Sequence, residues 1–274
     1  MKNNHINPPT GTAQETARPT PDATIYVNRN LRMDNIKVIG FDMDYTIARY
    51  HREPMERLAH QLTLQKLVEM GYPKEIENFA YDPQFVIRGL TVDKKLGNIL
   101  KLDRHGHVAE IYHGKHKLKK PERRTAYRNE RTRFQPPRYR LVDTYFALPE
   151  ISIFADLVDY CEKQNSLSVD PWQIFDDTRD CIDEVHRDES LKSIIKNNLT
   201  TYIEKDPILP QTLHKFRSAG KKLFLLTNSQ WNYTDPVMTH IFDGALSEYP
   251  TWQHYFDVII VGAGKPGFWI SDEP

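Results

Sequence analysis

The chain has 274 residues, of which 39% are hydrophobic, and its formal net charge at pH 7 is zero. This length fits one large domain or two small ones, and a neutral chain has no bulk attraction to nucleic acids or anionic membranes. No apolar segment approaches the ~18 residues of a membrane span. The chain has two cysteines, Cys161 and Cys181, and neither belongs to a metal-type or redox-type pair. We therefore expect a reduced, cytoplasmic protein without membrane partners.

The first third predicts a polar lead, a strand and a helix. Residues 1–23 contain four prolines and few apolar side chains, which predicts a disordered segment. The run IKVIGF over 36–41 predicts a strand that is buried on both faces, as in a parallel sheet. Apolar residues at helical spacing predict a helix over 53–70 that ends at Gly71.

The middle of the chain predicts short strands, a basic segment and helices. Residues 85–113 alternate short apolar stretches with turn signals, which predicts strands. Residues 115–140 hold eleven Lys or Arg against two Glu. A solvated surface or a site for nucleotide effectors fits this segment better than a nucleic-acid site, so we do not expect a nucleic-acid partner. Four helical patterns follow, at 149–163, 171–187, 190–204 and 210–220.

The last part predicts two strands around a helix. The strands are KLFLLTNS (222–229) and FDVIIVGAG (256–264), and the helix covers 234–242 with Thr234 or Asp235 as its N-cap. Strands that alternate with helices predict an α/β fold with an open, Rossmann-like parallel sheet. In such sheets ligands bind beyond the carboxyl ends of the strands.

Polar residues follow all three predicted strands of this sheet. Asp42 and Asp44 come after the first strand, Thr227 and Asn228 after the second, and Lys265 after the third. Because these ends meet at one edge, an anion held by the hydroxyl, the amide and the ammonium would lie beside two carboxylates. A divalent cation must then bridge the like charges, and Mg²⁺ prefers carboxylate and carbonyl oxygens. We expect Asp42 and the backbone carbonyl of Asp44 as metal ligands, in a site for phosphoryl transfer.

The two carboxylates suit different roles in that chemistry. Asp42 is the expected nucleophile, because an ionised carboxylate needs no base to activate it. Asp44 is the expected general acid and base, because one of two close carboxyl groups tends to keep its proton. On the residues alone, turn caps and a solvated Lys265 stay open as structural alternatives.

The ordered set of motifs resembles the haloacid dehalogenase superfamily of phosphohydrolases. Asp-x-Asp-x-Thr after a buried strand, a strand that ends in Thr-Asn and a later Lys carry this resemblance. The segments GFDMDYTIARY, RGLTVDKKLGNILKLDRHG, LLTNSQWNYTDPVM and WQHYFDVIIVGAGKPGFW are similar to its cytosolic purine 5′-nucleotidase branch. The similarity runs from about residue 25 to the end.

The resemblance implies a haloacid dehalogenase-like core over 24–50 and 205–274, with a mixed α/β cap inside the intervening residues 51–204. It implies hydrolysis of purine nucleoside 5′-monophosphates. An aspartate that accepts from a ring N–H and an arginine that donates to a carbonyl oxygen would favour IMP and GMP. A nucleoside hydroxyl that replaced water at the Asp42 intermediate would give phosphotransfer to nucleosides. Nucleotide effectors and a homo-oligomer would fit the same family. It maps the base site onto five positions of this chain: Phe146, Arg179, Asp183, His186 and Asp143.

The residues of this base site also fit a structural alternative. Arg179, Asp183 and His186 share one helix face, so they could equally form an exposed salt-bridged surface. Phe146 could equally be a core residue.

One expected motif has no counterpart. In the family a pair of acids after a further strand supplies the remaining metal ligands, and no such pattern follows Lys265. We expect either a longer natural chain or a non-catalytic nucleotide-binding or regulatory relative. For residues 1–274 alone the pattern predicts weak Mg²⁺ binding and poor turnover.

Overall fold

A computed structural model describes residues 31–127, 136–164 and 170–270. The predicted disordered lead, 1–23, lies outside these ranges. The chain divides into two units, and the described part of the first contains one 3₁₀ turn, Met33–Asn35, beside an ion pair between Arg32 and Asp34 at 2.6 Å. The second unit begins at Val38 and contains the elements that follow.

The three strands that the sequence predicts for the parallel sheet are present, and their carboxyl ends lie at one edge of it. Its strands are β1 (Val38–Phe41), β9 (Lys222–Leu226) and β10 (Val258–Ile260). The strand order is β1-β9-β10, and both pairings are parallel. Phe41 pairs with Leu225 and Ile260 pairs with Leu226, so the three carboxyl ends lie level with one another. The predicted α/β class with parallel strands is thereby confirmed.

The packing of a neighbouring aromatic ring explains why β1 contains a glycine. A Cβ atom at Gly40 would collide with the aromatic ring of Phe224 on the neighbouring strand. The ring therefore lies flat across β1, and only glycine leaves room for it.

Residues 91–141 build a separate five-stranded sheet in the order β6-β5-β4-β3-β7. All of its pairings are antiparallel. The predicted strands within 85–113 are confirmed as its first three members. The basic segment adds β6, β7 and a helix, α2, and its residues 128–135 lie outside the described ranges. The elements are β3 (Thr91–Asp93), β4 (Asn98–Leu102), β5 (Val108–His113), β6 (His116–Lys117), α2 (Lys120–Tyr127) and β7 (Tyr139–Leu141).

Three long helices cover the antiparallel sheet and confirm the predicted helices in this part of the chain. They are α1 (Arg52–Met70), α3 (Ala147–Gln164) and α4 (Pro171–Arg187). Gly71 ends α1 in a left-handed conformation, with φ of 118°, and its N–H donates to the carbonyls of Leu67 and Val68. Asp170 caps α4 by accepting a hydrogen bond from the N–H of Trp172.

The predicted single helix over 190–204 is wrong. The structure has two short helices, α5 (Ser190–Asn197) and α6 (Leu199–Tyr202), and then a strand, β8 (Ile203–Glu204). Asn198 leaves the helical conformation with φ of −141°. β8 pairs antiparallel with β2 (Arg49–Tyr50), so a partner distant in sequence overrides the local helical pattern.

The last two helices differ from their predicted starts. α7 spans Ile208–Ser218, so Pro210 lies in its first turn. α8 spans Trp231–Phe242 and has Gln230 as its N-cap, whereas Thr234 is buried inside the helix. Asp235 accepts a hydrogen bond from the indole of Trp252 at 2.9 Å instead of capping.

Two large cores hold the second unit together. One lies against the parallel sheet and includes Met43, Leu223, Leu225, Val237 and Trp252. Val38 of β1 is 55% exposed, so the prediction that this strand is buried on both faces is wrong. The other lies between α1, α3, α4 and the antiparallel sheet, and includes Leu64, Val92, Leu148, Phe154 and Phe175. None of the helices in the described ranges has the length and hydrophobicity that a membrane span needs.

Candidate active site

Asp42 follows the last residue of β1 and faces the third strand end. Its Oδ1 accepts a hydrogen bond from the N–H of Met43 at 2.8 Å. Its Oδ2 lies 2.8 Å from Nζ of Lys265, and 45% of the Asp42 side chain is exposed. The exposed carboxylate is therefore held in a fixed position beside a cation and is open to a ligand.

A tight turn follows Asp42 and aims Asp44 into the protein. The carbonyl of Met43 accepts from the N–H groups of Ile47 and Ala48, both at 2.9 Å. Tyr45 lies in the left-handed region with φ of 56°, which is uncommon for a bulky residue and typical of functional sites. The turn places the Asp44 carboxyl among buried partners, whereas Asp42 stays at the surface.

Lys265 is anchored at the end of β9 by three hydrogen bonds. Its Nζ donates to the carbonyl of Leu226 at 2.8 Å. Its backbone N–H donates to Oδ1 of Asn228 at 2.6 Å, and its carbonyl accepts from Nδ2 of the same amide at 3.0 Å. The predicted phosphate ligand Asn228 thus uses its side chain to hold the backbone of Lys265 in place.

Thr227 is fully buried and shapes the loop after β9. Its Oγ1 accepts a hydrogen bond from the N–H of Ser229 at 3.0 Å. Its backbone N–H donates to the carbonyl of Ile260, and its carbonyl accepts from Ala263, both at 3.0 Å. Thr227 therefore ties the loop after β9 to the loop after β10, and so supports the position of Lys265.

Both oxygens of the Asp44 carboxyl accept hydrogen bonds. Tyr50 Oη donates to Oδ1 at 2.7 Å, and Ser229 Oγ donates to Oδ2 at 2.9 Å. Although the residue keeps some exposure, burial of the carboxyl group raises its pKa above the usual value. The two hydrogen bonds oppose this rise, while the negative charge of Asp42 adds to it. The protonated form of Asp44 is thus favoured relative to a solvent-exposed carboxyl.

A cavity of about 410 Å³ opens beside Asp44. Its walls come from the loops after β1 and β9 and from the end of α4, and include Phe146, Asp183 and His186. Three of the predicted base-site residues are therefore brought together with the catalytic candidate. Lys192, Arg187 and Glu189 also line the cavity, and no sequence pattern predicts their presence there.

Phe146 and His186 form an aromatic pair within this cavity. Their ring centroids lie 5.3 Å apart in an edge-to-face arrangement. Nδ1 of His186 lies 2.7 Å from the carbonyl of Ile182, while Nε2 is buried without a hydrogen-bond partner among the described residues. Burial lowers the pKa of His186, so the ring is neutral, Nδ1 carries the proton and Nε2 is a free acceptor.

Two predicted base-site residues do not line the cavity. Arg179 donates from Nη1 to Glu150 at 2.8 Å and from Nε to Asp183 at 3.2 Å. Arg179 therefore forms the salt bridges of the structural alternative, and its guanidinium orients the Asp183 carboxylate. Asp143 is exposed and also lies outside the cavity walls.

The oxygens that the sequence predicts as ligands of a divalent cation are the Asp42 carboxylate and the Asp44 backbone carbonyl, both at the end of β1. Within 31–127, 136–164 and 170–270, no group of three or more His, Cys, Asp or Glu could hold a metal ion. The exposed Asp42 oxygens are of the chemical kind that a hard cation binds.

An α/β fold with paired carboxylates and a lysine at the carboxyl ends of parallel strands defines a candidate active site for an anionic substrate. Residues 25–274 match the family model described as the 5′ nucleotidase family, and the chain belongs to that family.

Two curated relatives align with most of this chain. A 5′-nucleotidase domain-containing protein of Dictyostelium discoideum is 34% identical over 256 residues, which are 91% of this chain and 43% of the relative. The 5′-nucleotidase domain-containing protein 2 of Rattus norvegicus is 30% identical over 261 residues, 90% of this chain and 45% of the relative. The chain spans less than half the length of these relatives.

Proposed function

We propose that the protein hydrolyses purine nucleoside 5′-monophosphates through an aspartyl-phosphate on Asp42. One observation carries the proposal: the exposed Asp42 carboxylate is paired with Lys265 beside a second carboxyl, that of Asp44, whose pKa is raised. Membership of the 5′ nucleotidase family supports this substrate class. The two unpaired cysteines fit the cytoplasmic location that the sequence predicts.

The first half-reaction is attack by Asp42 on phosphorus. An oxygen of the carboxylate forms a bond to phosphorus while the bond from phosphorus to the nucleoside 5′-oxygen breaks. Asp44 gives its proton to the departing oxygen, so the nucleoside leaves as a neutral alcohol. The raised pKa of Asp44 supports this role, because it favours the protonated form that a general acid needs.

The second half-reaction restores the enzyme. Asp44, now ionised, takes a proton from water, and the resulting nucleophile attacks the phosphorus of the aspartyl-phosphate. The bond between phosphorus and the Asp42 oxygen breaks, which releases inorganic phosphate. A nucleoside hydroxyl in place of water would give phosphotransfer by the same steps.

Mg²⁺ is part of the proposal as a cofactor. Asp42 and the backbone carbonyl of Asp44 would hold it, and its charge would offset the negative charge of the phosphate oxygens. Lys265 contributes a second, permanent positive charge on the same side of Asp42. Thr227 and Asn228 contribute by fixing the loop that carries these groups.

The base preference for IMP and GMP rests on an acceptor of the cavity. The side chain of Asp183 is 45% exposed and can accept from a ring N–H, which 6-oxopurines have and adenine lacks. Phe146 adds an aromatic ring to the cavity wall, which supports binding of a purine base. Arg179 forms ion pairs with Glu150 and Asp183. We therefore propose that it orients Asp183 and does not contact the base directly.

The architecture that we propose is a haloacid dehalogenase-like core with an inserted cap, in the cytosolic purine branch. The parallel strands come from 38–41, 222–226 and 258–260, while every strand of the antiparallel sheet lies within 91–141. This distribution supports a core assembled from both ends of the sequence and a cap within 51–204.

The test is phosphate release from IMP, GMP, AMP and UMP, with Mg²⁺ and after its chelation. We expect Mg²⁺-dependent release that is fastest with IMP and GMP and that disappears in Asp42→Asn. Activity that survives Asp42→Asn would refute the covalent mechanism, and equal rates with UMP would refute the base-site assignment. Acid-quenched protein should carry a phosphoryl group that is lost in the same variant.

A second candidate is a non-catalytic nucleotide-binding or regulatory protein. The observation that favours it is the partial metal-ligand set of the described residues. Nucleotide binding without phosphate release, in protein made from the whole natural reading frame, would support this candidate. Robust turnover by residues 1–274 alone would contradict it, and would also show that the two strand-end oxygens suffice.

A further inference from the structure

Two buried tyrosines form a hydrogen-bonded chain that ends on Asp44. Tyr233 Oη lies 2.8 Å from Tyr50 Oη, and Tyr50 Oη lies 2.7 Å from Oδ1 of Asp44. Tyr50 is 8% exposed and Tyr233 is 2% exposed. The chain joins three separate elements, since Asp44 follows β1, Tyr50 belongs to β2 and Tyr233 belongs to α8.

The direction of the hydrogen bonds in this chain follows from its donors. If Tyr50 donates to Oδ1, its own oxygen is free to accept from Tyr233, and both phenolic protons have partners. If Oδ1 carried a proton instead, Tyr50 would turn to donate to Tyr233. The proton of Tyr233 would then have no partner among the described side chains, which is unfavourable for a buried hydroxyl.

The other oxygen of the same carboxyl has a more adaptable neighbour. Oδ2 contacts the hydroxyl of Ser229 at 2.9 Å. A serine hydroxyl rotates to donate or to accept, so it tolerates a proton on Oδ2. The two oxygens of Asp44 are therefore not equivalent, although they belong to one carboxyl group.

The backbone of Tyr50 is itself held at two points. β2 pairs with β8, with Tyr50 opposite Ile203 and Arg49 opposite Glu204. The side chains of Arg49 and Glu204 form an ion pair at 3.2 Å. The N–H of His51 donates to the carbonyl of Tyr202 at 2.8 Å. This short ribbon fixes the strand from which the Tyr50 hydroxyl reaches Asp44.

We propose that Tyr50, supported by Tyr233, is a positioning residue that holds the Asp44 carboxyl in one orientation, with Oδ1 toward the two tyrosines and Oδ2 toward Ser229. The inference rests on the proposed role of Asp44 in the phosphatase reaction. Tyr50 itself exchanges no proton with the substrate. Its contribution is to hold the carboxyl in one orientation, so that the proton leaves from one defined atom.

The test compares two leaving groups in three phenylalanine variants. The nucleoside of IMP needs a proton when it departs, whereas 2,4-dinitrophenolate departs without one. In Tyr50→Phe we expect kcat for IMP to fall about tenfold while KM changes less than about twofold. First-turnover release of dinitrophenol from its phosphate ester should stay within about twofold of the parent protein. Tyr233→Phe should show the same selective loss, but a smaller one.

Tyr255→Phe is the matched control. Tyr255 is fully buried, and its hydroxyl has no hydrogen-bond partner within the described ranges. It should leave both substrates unaffected. Equal losses on both substrates in Tyr50→Phe, or no loss on IMP, would overturn the inference.

A crystal structure of Tyr50→Phe separates this inference from the proposed function. We expect the Asp44 carboxyl to turn from its parent orientation once the donor to Oδ1 is gone, and an unchanged orientation would overturn the inference. If the parent protein releases no phosphate from any substrate, the proposed function fails, and the orientation of Asp44 still decides whether Tyr50 positions it.

Discussion

The ammonium group of Lys265 forms an ion pair with Asp42 at 2.8 Å and donates a hydrogen bond to the carbonyl of Leu226 at the same distance. The two contacts join the ends of all three parallel strands, because Asp42 follows β1, Leu226 ends β9 and Lys265 lies beyond β10. These contacts hold the ammonium group in place, so in the proposed mechanism it would interact with the phosphate without reorganisation.

Replacing Lys265 should therefore weaken catalysis far more than stability. In Lys265→Ala we expect kcat/KM for IMP to fall ~100-fold, since one preorganised cation is lost from the site. Steady-state kinetics with IMP measure the change, and thermal unfolding should move by less than ~3 °C. Lys74→Ala, at an exposed lysine of a 3₁₀ turn, is the matched control and should keep parent activity. A Lys265 variant with parent kcat/KM would contradict the assignment.

Asn228 provides a separate test of how Lys265 is held. In Asn228→Ala both hydrogen bonds to the backbone of Lys265 are lost, while the ammonium group itself remains. We expect a loss in kcat/KM of about tenfold, smaller than that in Lys265→Ala, because the cation is present but less well positioned. The double variant Asn228→Ala/Lys265→Ala tests this coupling. If its loss of activity equals the product of the two single losses, the residues act independently, and the hydrogen bonds from Asn228 do not position Lys265 for catalysis.

The sequence could predict the strand ends because their signal is local. Asp42, Asp44, Thr227 and Lys265 each stand next to a strand whose apolar run is evident, and the parallel topology brings these ends together. Tyr50 and Tyr233 carried no such signal. Their contact with Asp44 depends on a turn after β1 and on a helix far along the chain, and spacing in the sequence encodes neither.

Two errors in the predicted elements have the same physical origin. The sequence pattern predicts that the residues of β8 end a helix. Their pairing with β2 outweighs this local propensity. At α8, Thr234 and Asp235 are good capping residues, but Thr234 is buried within the helix and Asp235 bonds Trp252, so tertiary contacts moved the start to Trp231. Arg179 was a plausible base ligand by its helix face, and only the buried Glu150 opposite it shows why it points elsewhere.

A buried histidine should make stability depend on pH. His60 is 3% exposed, its Nε2 has no partner among the described residues, and burial lowers its pKa to about 4. Lys115 and Arg57 add to this shift with their positive charges. The unfolded chain takes up the proton near pH 6.5 and the folded chain only near pH 4, so stability is complete above that window and is lost as pH falls through it.

The comparison with His60→Leu isolates this effect. Between about pH 7.5 and pH 4.5, the parent protein should lose up to about 3 kcal/mol of unfolding free energy that the variant does not lose. Urea unfolding at both pH values measures the two differences. Equal losses in the parent and in His60→Leu would mean that other groups cause the acid instability.

The packing of Phe224 over Gly40 predicts a specific steric defect. Gly40→Ala places a methyl group within the Phe224 ring, so we expect the free energy of unfolding to fall by about 2 kcal/mol. Gly267→Ala is the matched control, because no atom lies within 4 Å of an added Cβ there. Chemical unfolding should show recovery of much of the loss in Gly40→Ala/Phe224→Leu, where the ring is absent. A double variant no more stable than Gly40→Ala would show that the ring is not the cause.

The ion pair between Arg179 and Glu150 predicts an asymmetric pair of variants. Glu150 is 1% exposed, and burial raises its pKa while the Arg179 guanidinium opposes the rise. Arg179→Met leaves this buried carboxyl without its cation, so we expect a loss of about 3 kcal/mol in unfolding free energy. Arg179→Met/Glu150→Gln removes the charge as well and should recover most of that stability, as measured by urea unfolding. The same double variant should still show a raised KM for IMP, because Asp183 has lost the guanidinium that orients it. A parent KM in the double variant would mean that Arg179 contributes to the fold alone and not to the orientation of Asp183.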